Sequence, residues 1–342
     1  MLTKVHRLVE RAHDLKIWGG YLTTAKHWRE VMRLPPRAWL DPRRRGFSPF
    51  HYRFWRIDRS GPDQFLNDRQ VRNTAKIDGP YGVVLDDKVL FELVMQRYVR
   101  VPRNFARLQR GRLIWLDGGT PPDRSLHSLL QERKKLVVKP VDQNGGRGVR
   151  LLEYRKGLSP QDLLSGSEDV IISEHIEQGA YSSSLYPGSV NTVRMLTLRD
   201  RADQSSFVAM AVQRIGCAQS APVDNVSRGG LSCAVDLETG QLGKVIKYKS
   251  DDPFQFHDRH PDTGKSFEGV VVPDWRGICS KMIELADKFP MLPYVAWDVA
   301  LLDDDIVVIE GNSWTGLGTL QRERPLLADP RVRRFYEAYG IL

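Results

Sequence analysis

Residues 294–314 constrain the fold more than any other stretch of this chain. Two runs rich in β-branched and apolar residues flank the consecutive aspartates Asp303, Asp304 and Asp305, an arrangement that reads as a β-hairpin. Asp298 lies inside the first run; Glu310 and Asn312 lie at the exit of the second. Strand side chains alternate between faces, so Glu310 and Asn312, two apart, project from one face. Folding back at the aspartates brings Asp298 alongside them. Two carboxylates and an amide oxygen on one face are hard ligands suited to Mg²⁺, which commonly keeps waters and substrate phosphates in its shell. An acidic hairpin with a solvated turn is the plain alternative.

At 342 residues the chain is long enough to bury a substantial core in two or three lobes. No apolar run approaches the roughly 18 residues a membrane-spanning helix requires. No long apolar segment follows the first charges, so no signal peptide is expected, and cytoplasm is the default location. Cys217, Cys233 and Cys279 are scattered and odd in number, which argues against a disulfide framework or a zinc cluster. The net charge of +9 is unevenly placed: residues 1–112 carry 24 Lys and Arg against 11 Asp and Glu, and the remainder is net negative. That basic front, with Arg43, Arg44, Arg45, Arg53, Arg56 and Arg59, suits nucleic acid, an anionic membrane surface or an acidic substrate, but a solvated basic face is the favoured reading.

Residues 4–17 show helical spacing, and residues 21–33 form a second helical segment before Pro35 and Pro36. Trp18, Trp28 and Trp39 are expected in the core rather than at a membrane interface. Residues 41–64 read as an irregular connector. Its arginines and aromatics, Phe47, Phe50, Tyr52, Phe54 and Trp55, are a pattern single-stranded nucleic acid can use, but no nucleic-acid motif accompanies it. A helix follows Asp86 and Asp87, a short strand spans 112–116, and a helix spans 125–132. Further strands are expected within 169–179, which leaves into a polar segment, and at 189–198, 207–214, 231–237 and 244–248. An amphipathic helix over 278–289 and a last helix near 331–339 complete the pattern. His257 and His260 among aspartates offer a metal site or, as the favoured reading, a surface loop.

Residues 136–140 are a strand carrying Lys139, followed by a loop with Gly145, Gly146 and Gly148, after which a strand resumes over 149–153. The lysine precedes the glycines and no helix follows them, which fits neither a Walker A loop nor a dinucleotide fingerprint. Glycines let backbone amides approach phosphate oxygens, and Lys139 adds a point charge; a plain hairpin turn is the alternative. Arg194 sits among apolar residues in a strand, where it requires a carboxylate or phosphate partner. Structural pairing and substrate contact remain equally open for it.

The order of these parts, from about residue 86 to 320, resembles the ATP-grasp superfamily. The resemblance rests on Asp87-Lys88 opening a helix, Lys139 with its glycine loop, Glu174 ending a strand, Arg194 and Arg214 on strands, Asp298, and Glu310 with Asn312. The twelve-residue separation of Asp298 and Glu310 looks like the ribosomal-protein glutamate ligase branch. Asn191-Thr192-Val193-Arg194 and the 224–230 loop look like the sugar-transfer-associated subgroup linked to surface polysaccharide clusters.

The resemblance implies an α+β ATP-grasp fold of two lobes clasping ATP. It divides the chain into a helical, irregular basic region 1–85, a nucleotide lobe 86–178 and a metal-site lobe 179–342. It implies ATP with Mg²⁺, Mn²⁺ being able to substitute, held by Asp298, Glu310 and Asn312. Lys88 and Lys139 would balance phosphate charge beneath the glycine lid, and Glu174, His175, Ile176 and Glu177 would hold the adenosine. Arg194 and Arg214 would steady the transferred phosphate or the carboxylate, with Asn225 in support. The implied reaction joins a small-molecule carboxylate to an amine through an acyl phosphate. A kinase that stops at phosphorylation, or a non-catalytic basic binding protein, are the alternatives. Small-molecule substrates are expected rather than nucleic acid, with peripheral membrane contact open to the basic front. Residues 179–182 lack the family's acidic ribose contact, which leaves Glu177 in that place, and residues 1–85 lack the family's usual parallel αβ start.

Overall fold

The computed structural model describes residues 45–116, 125–141, 146–157, 169–247, 255–318, 320–322 and 324–342. The helices expected over 4–17 and 21–33, the three tryptophans within 18–39, Arg43, Arg44 and Gly145 lie outside the described residues. The chain divides into two compact units, one of residues 1–74 with 316–342 and one of residues 75–315.

The first unit contains α1 (Pro49–Phe54), α2 (Ile57–Ser60) and α3 (Asp68–Asn73), together with the carboxy-terminal helix Pro330–Ala338. The connector expected over 41–64 is therefore short helices in its described part. Its aromatics turn inward: Phe54, Trp55 and Ile57 are buried, and their side chains supply the local core. Trp55 stacks on His51 at 4.3 Å and donates from Nε1 to the Gly318 carbonyl at 2.7 Å. Gln321 closes the unit by accepting from Leu66 N at 2.8 Å and donating to Leu66 O at 3.1 Å. The rings of Phe47, Phe54 and Trp55 have no open face for a nucleotide base. At the start of α3, Asn67 and Gln70 form a reciprocal capping box. Burial alone would raise the Asp68 carboxyl, but His51 Nδ1 at 2.6 Å and the Ser48 amide hold it below the ordinary carboxylate range.

The second unit is two antiparallel sheets with helices. It opens with α4 (Val83–Asp86) and α5 (Lys88–Met95), the latter capped by Asp87 Oδ1 accepting from the amides of Val89 and Leu90, each at 2.9 Å. The first sheet comprises β1 (Asn104–Gln109), β2 (Arg112–Trp115), β3 (Lys135–Pro140), β4 (Arg150–Glu153) and β5 (Asp169–Glu174), in the order β2-β1-β5-β3-β4. Its buried face packs on α6 (Leu126–Arg133) through Leu126, Leu129, Leu130, Leu136 and Ile172. β1 has no counterpart in the sequence reading: Asn104, Arg107 and Gln109 break its apolar alternation. Two of those polar groups are absorbed by the fold, Arg107 by Asp169 and Asn104 by Ser173 and the Lys88 carbonyl.

The short α7 (Ala180–Leu185) then leads into the second sheet, another helix that the polar sequence around it did not announce. That sheet comprises β6 (Thr192–Arg199), β7 (Ser206–Ile215), β8 (Leu231–Ala234), β9 (Val245–Lys247) and β10 (Phe256–His257). The amphipathic α8 (Trp275–Asp287) and the hairpin β11 (Tyr294–Leu301) with β12 (Ile306–Asn312) follow, giving the order β10-β9-β8-β7-β6-β11-β12. Trp275, Ile278, Met282 and Leu285 of α8 join the sheet's main core cluster, with Trp297 fully buried in it. Among the described residues no helix is long and apolar enough to cross a membrane.

His260 is not the surface-loop residue the sequence suggested. It is 1% exposed, stacks on Tyr186, and accepts at Nδ1 from the amides of Asp262 and Thr263. That places its proton on Nε2, which donates to the Gly216 carbonyl at 2.8 Å. Both nitrogens serve the backbone, so neither is available to a metal.

Asp78 carries a pH dependence. Its Oδ1 accepts from Tyr294 N at 3.1 Å, while its buried Oδ2 has no partner among the described residues. Burial pushes its pKa up to about 8, with Asp86 adding to the effect. A folded-state value above the unfolded one means the native protein retains a proton that the unfolded chain releases. The contribution is fully present below about pH 4 and is lost as pH rises through about 8, a slope of about 1.4 kcal/mol per pH unit. Asp78→Asn is expected to flatten that decline in urea unfolding between pH 5 and 8. An unchanged slope would remove Asp78 from this role.

Candidate functional site

Strand register builds the centre of the site. On the second sheet Arg194 of β6 is paired with Asp298 of β11, and Asp298 is paired with Glu310 of β12. Three charged side chains therefore stand in one row across neighbouring strands. A register shift directly after Asp298 leaves Ile309 without a partner in the ladder, the kind of bulge that re-aims side chains at a site. Gly311 sits between Glu310 and Asn312 for a steric reason: a Cβ there would lie 2.7 Å from Leu85 and 3.1 Å from Phe91. The glycine lets α4 and α5 pack directly on β12, which carries Lys88 to the same edge.

The arginines are paired with carboxylates. Arg194 donates from Nε and Nη2 to the two oxygens of Asp298, each at 2.7 Å. Arg214 donates from Nη1 to Asp298 Oδ2 at 2.7 Å and from Nη2 to Asp224 Oδ1 at 2.6 Å. Asp224 Oδ2 in turn accepts from Thr192 N at 2.8 Å and Thr192 Oγ1 at 2.6 Å. Such bidentate, charge-assisted bonds are the strong ones. Burial would raise the Asp298 carboxyl, but Arg194 and Arg214 hold it well below the usual range. Glu310 has the opposite fate: burial and the neighbouring Asp298 charge push its carboxyl up. Arg194 Nη2 lies 4.0 Å from Glu310, too far for a hydrogen bond.

These groups face a cavity of about 530 Å³, in the size range of small-ligand sites. Lys88, Lys139, Gly146, Glu174, His175, Ile176, Glu177, Arg214, Asn225, Asp298 and Glu310 all line it, so the structure gathers most of the residues singled out from sequence. A smaller cavity of about 190 Å³ shares Lys88, Lys139 and Glu310 and adds Asn312. Arg194 reaches this space through Asp298, and Gly148 sits in the loop at φ 67°. Lys139 is close enough to other charges for them to act on it. Burial lowers its pKa, Glu310 works to raise it, and Lys88 lowers it further. Gly146, at φ 70°, packs where a Cβ would meet Val223 at 3.1 Å, next to Asp224 in sequence.

At the strand exit, Glu174 is anchored by the Arg103 amide at 3.2 Å and Arg100 Nη2 at 3.4 Å. Burial, with Lys135 nearby, lowers the His175 pKa, favouring its neutral form. Gln178 and Asn191 hold this segment to the second sheet: Asn191 N donates to Gln178 Oε1 at 2.8 Å, and its Nδ2 donates to the carbonyls of Ser182 and Tyr186. Asn191 and Asp224 are the residues that sequence reading underused.

The oxygen donors fit a hard divalent cation in part. Asn312 Nδ2 donates to the Ala296 carbonyl at 3.2 Å, leaving Oδ1 as the end of the amide unused by the sheet. Glu310 keeps 41% of its side-chain surface exposed and lies beyond hydrogen-bond reach of Arg194. Asp298 has both oxygens engaged by arginine. Among the described residues no three His, Cys, Asp or Glu side chains cluster as a metal site; the donors here are two carboxylates and one amide. Asn225 Oδ1 caps the turn after it by accepting from Ser227 N at 2.8 Å, which leaves its NH₂ group as the end that can donate.

Comparison with curated proteins found no match. Among solved structures, the ATP-grasp ligase PsnB, complexed with a precursor variant, Mg and ADP, is 14% identical; the match covers 75% of this chain and 62% of that one, with a TM-score of 0.41. The D-alanine–D-alanine ligase of Bacillus anthracis is 13% identical over 75% of this chain and 65% of its own, with a TM-score of 0.39. The D-alanyl-alanine synthetase A of Vibrio cholerae is 10% identical over 77% and 66%, with a TM-score of 0.44. The chain thus spans less than two thirds of the length of these structures. The sequence itself supplies the decisive match: residues 78–327 fit the family described as sugar-transfer associated ATP-grasp. That span takes in both antiparallel sheets, both lysines and the whole Arg194–Asp298–Glu310 row, and the chain belongs to the sugar-transfer-associated ATP-grasp family.

Proposed function

We propose that this protein is an ATP-dependent carboxylate–amine ligase, with residues 86–178 as its nucleotide lobe. The observation that carries the reading is the convergence of Lys88 and Lys139, from separate elements, on one cavity with Glu310 and Asp298. The purine occupies the part of the cavity lined by Ile176, Val137 and Leu151, beside the 174–177 segment. The triphosphate runs toward Lys88 and Lys139, whose ammonium groups offset its charge, with Gly146 closing over it. Glu310, Asn312 and Asp298 are the residues that would hold Mg²⁺, which supplies charge neutralisation on the phosphate oxygens.

In the first step a substrate carboxylate oxygen bonds to the γ-phosphorus and the bond to the ADP oxygen breaks, leaving an acyl phosphate. In the second, an amine nitrogen attacks the acyl carbon, phosphate departs, and the nitrogen loses a proton to give the amide. Arg214, at the cavity wall, is positioned to steady the phosphoryl oxygens during both steps. No protein nucleophile is needed. The family's association with sugar transfer supports a product used in surface polysaccharide assembly.

The test is a screen of amino acids and sugar acids with amine partners for ADP release, with products identified by mass. Release that requires both acid and amine supports the ligase; release with one acceptor and a phosphorylated product makes the protein a kinase instead. Lys139→Met is expected to weaken MgATP binding by about tenfold, about 1.4 kcal/mol, in calorimetric titration. An unchanged affinity would place the phosphates elsewhere.

A further inference from the structure

Arg214 is held differently from Arg194. Among the described residues Arg194 gives its hydrogen bonds to Asp298, whereas Arg214 divides its guanidinium between Asp298 and Asp224. Asp224 is 4% exposed and is itself clamped on its other oxygen by the amide and hydroxyl of Thr192. Its position is also sterically fixed. A Cβ on Gly230 would collide with the Asp224 carbonyl, so the loop can fold this tightly only with glycine there. The residue before it, Val223, meets Gly146 of the glycine loop. One short segment therefore touches the loop on one side and grips an arginine on the other.

We propose that Asp224 is a positioning residue: clamped by Thr192, it aims the Arg214 guanidinium into the cleft and keeps it there when a ligand draws on Asp298. This rests on the nucleotide reading above. An arginine with one anchor leaves its place when that anchor is taken by a cation; an arginine with two keeps its direction. The group served is the terminal phosphoryl of a nucleoside triphosphate, because Arg214 and Asp298 line the same wall of the cavity as Glu310. Asp224 spends both oxygens on Arg214 and Thr192, so it acts through Arg214.

The test compares binding of ADP and of a non-hydrolysable ATP analogue with a β,γ-imido link, each with Mg²⁺, to the wild type and to Asp224→Asn, alongside thermal unfolding. The wild type is expected to prefer the triphosphate analogue. Asp224→Asn is expected to cut that preference on the order of tenfold while ADP affinity stays within about twofold. A purely structural role would lower both affinities together, and that result overturns the proposal, as does an unchanged preference. Thr192→Val keeps the carboxylate but removes one of its anchors, and it is expected to move the preference in the same direction by a smaller factor. Should Asp224→Asn fail to fold, Thr192→Val decides: a preference equal to wild type ends the proposal. A wild type that binds neither nucleotide overturns the ligase reading itself, and this inference with it; a wild type that binds both but is insensitive to these changes overturns this inference alone.

Discussion

Glu310→Gln is expected to reduce Mg²⁺-dependent ADP release by about a thousandfold or more, equivalent to ~4 kcal/mol of transition-state stabilisation, while the thermal unfolding midpoint stays near wild type. The substitution keeps the shape of the side chain and removes one negative charge. Glu310 is the carboxylate of its row with surface left open and no hydrogen-bonded arginine, lying 4.0 Å from Arg194. Its raised pKa follows from burial and the adjacent Asp298 charge, so neutralising it relieves the apo protein rather than disrupting it. Wild-type ADP release in Glu310→Gln would remove this side chain from the metal and phosphate chemistry.

Asp298→Ala carries the other large effect, and it falls on stability as well as activity. Asp298 is 3% exposed and accepts three short hydrogen bonds, two from Arg194 and one from Arg214. Removing it leaves two cationic side chains within the sheet, Arg194 without its hydrogen-bonded partner and Arg214 with Asp224 alone. Breaking a buried ion pair from one side costs about 3–5 kcal/mol, because the surviving charge stays desolvated. Urea unfolding of Asp298→Ala is therefore expected to show a midpoint well below that of Glu310→Gln, with ADP release lost in both. A loss of less than about 1 kcal/mol in Asp298→Ala would mean that solvent reaches the arginines, and the network would count as an exposed one.

The contrast between these two carboxylates shows where sequence reading stops. Both stand in a hairpin whose strands, turn and facing residues follow from alternation and from three successive aspartates. Both were assigned the same role. Only the packed sheet separates them, because Arg194 and Arg214 arrive from β6 and β7, strands about a hundred residues earlier. The carboxylate that faces Arg194 is Asp298, which takes both of its hydrogen bonds. The search for that partner was possible in the sequence; its identity depended on the pairing of β6 with β11.

Other differences have the same origin. β1 escaped notice because its polar residues interrupt the two-residue period, and they are tolerated only because Asp169, Ser173 and the Lys88 carbonyl satisfy them from elsewhere. The 41–64 stretch looked irregular because its prolines, glycines and arginines mask the helical recurrence of Phe54, Trp55 and Ile57. His260 looked like a surface residue because its neighbours are charged, yet its ring is buried and consumed by three backbone groups.

Local chemistry alone determined the hairpin, the capped helix that begins with Lys88, the strand bearing Lys139, the glycines beyond it and the order in which these parts occur. Each element is written in residues close together in the chain, so periodicity and capping preferences suffice to read it. Which acid receives which arginine, which carboxylate stays open to a cation, and that Lys88 and Lys139 share one cavity were decided by tertiary structure. Those outcomes depend on strand register and on close packing at Gly311 and Gly230, contacts between segments far apart in the chain whose energies no local pattern encodes.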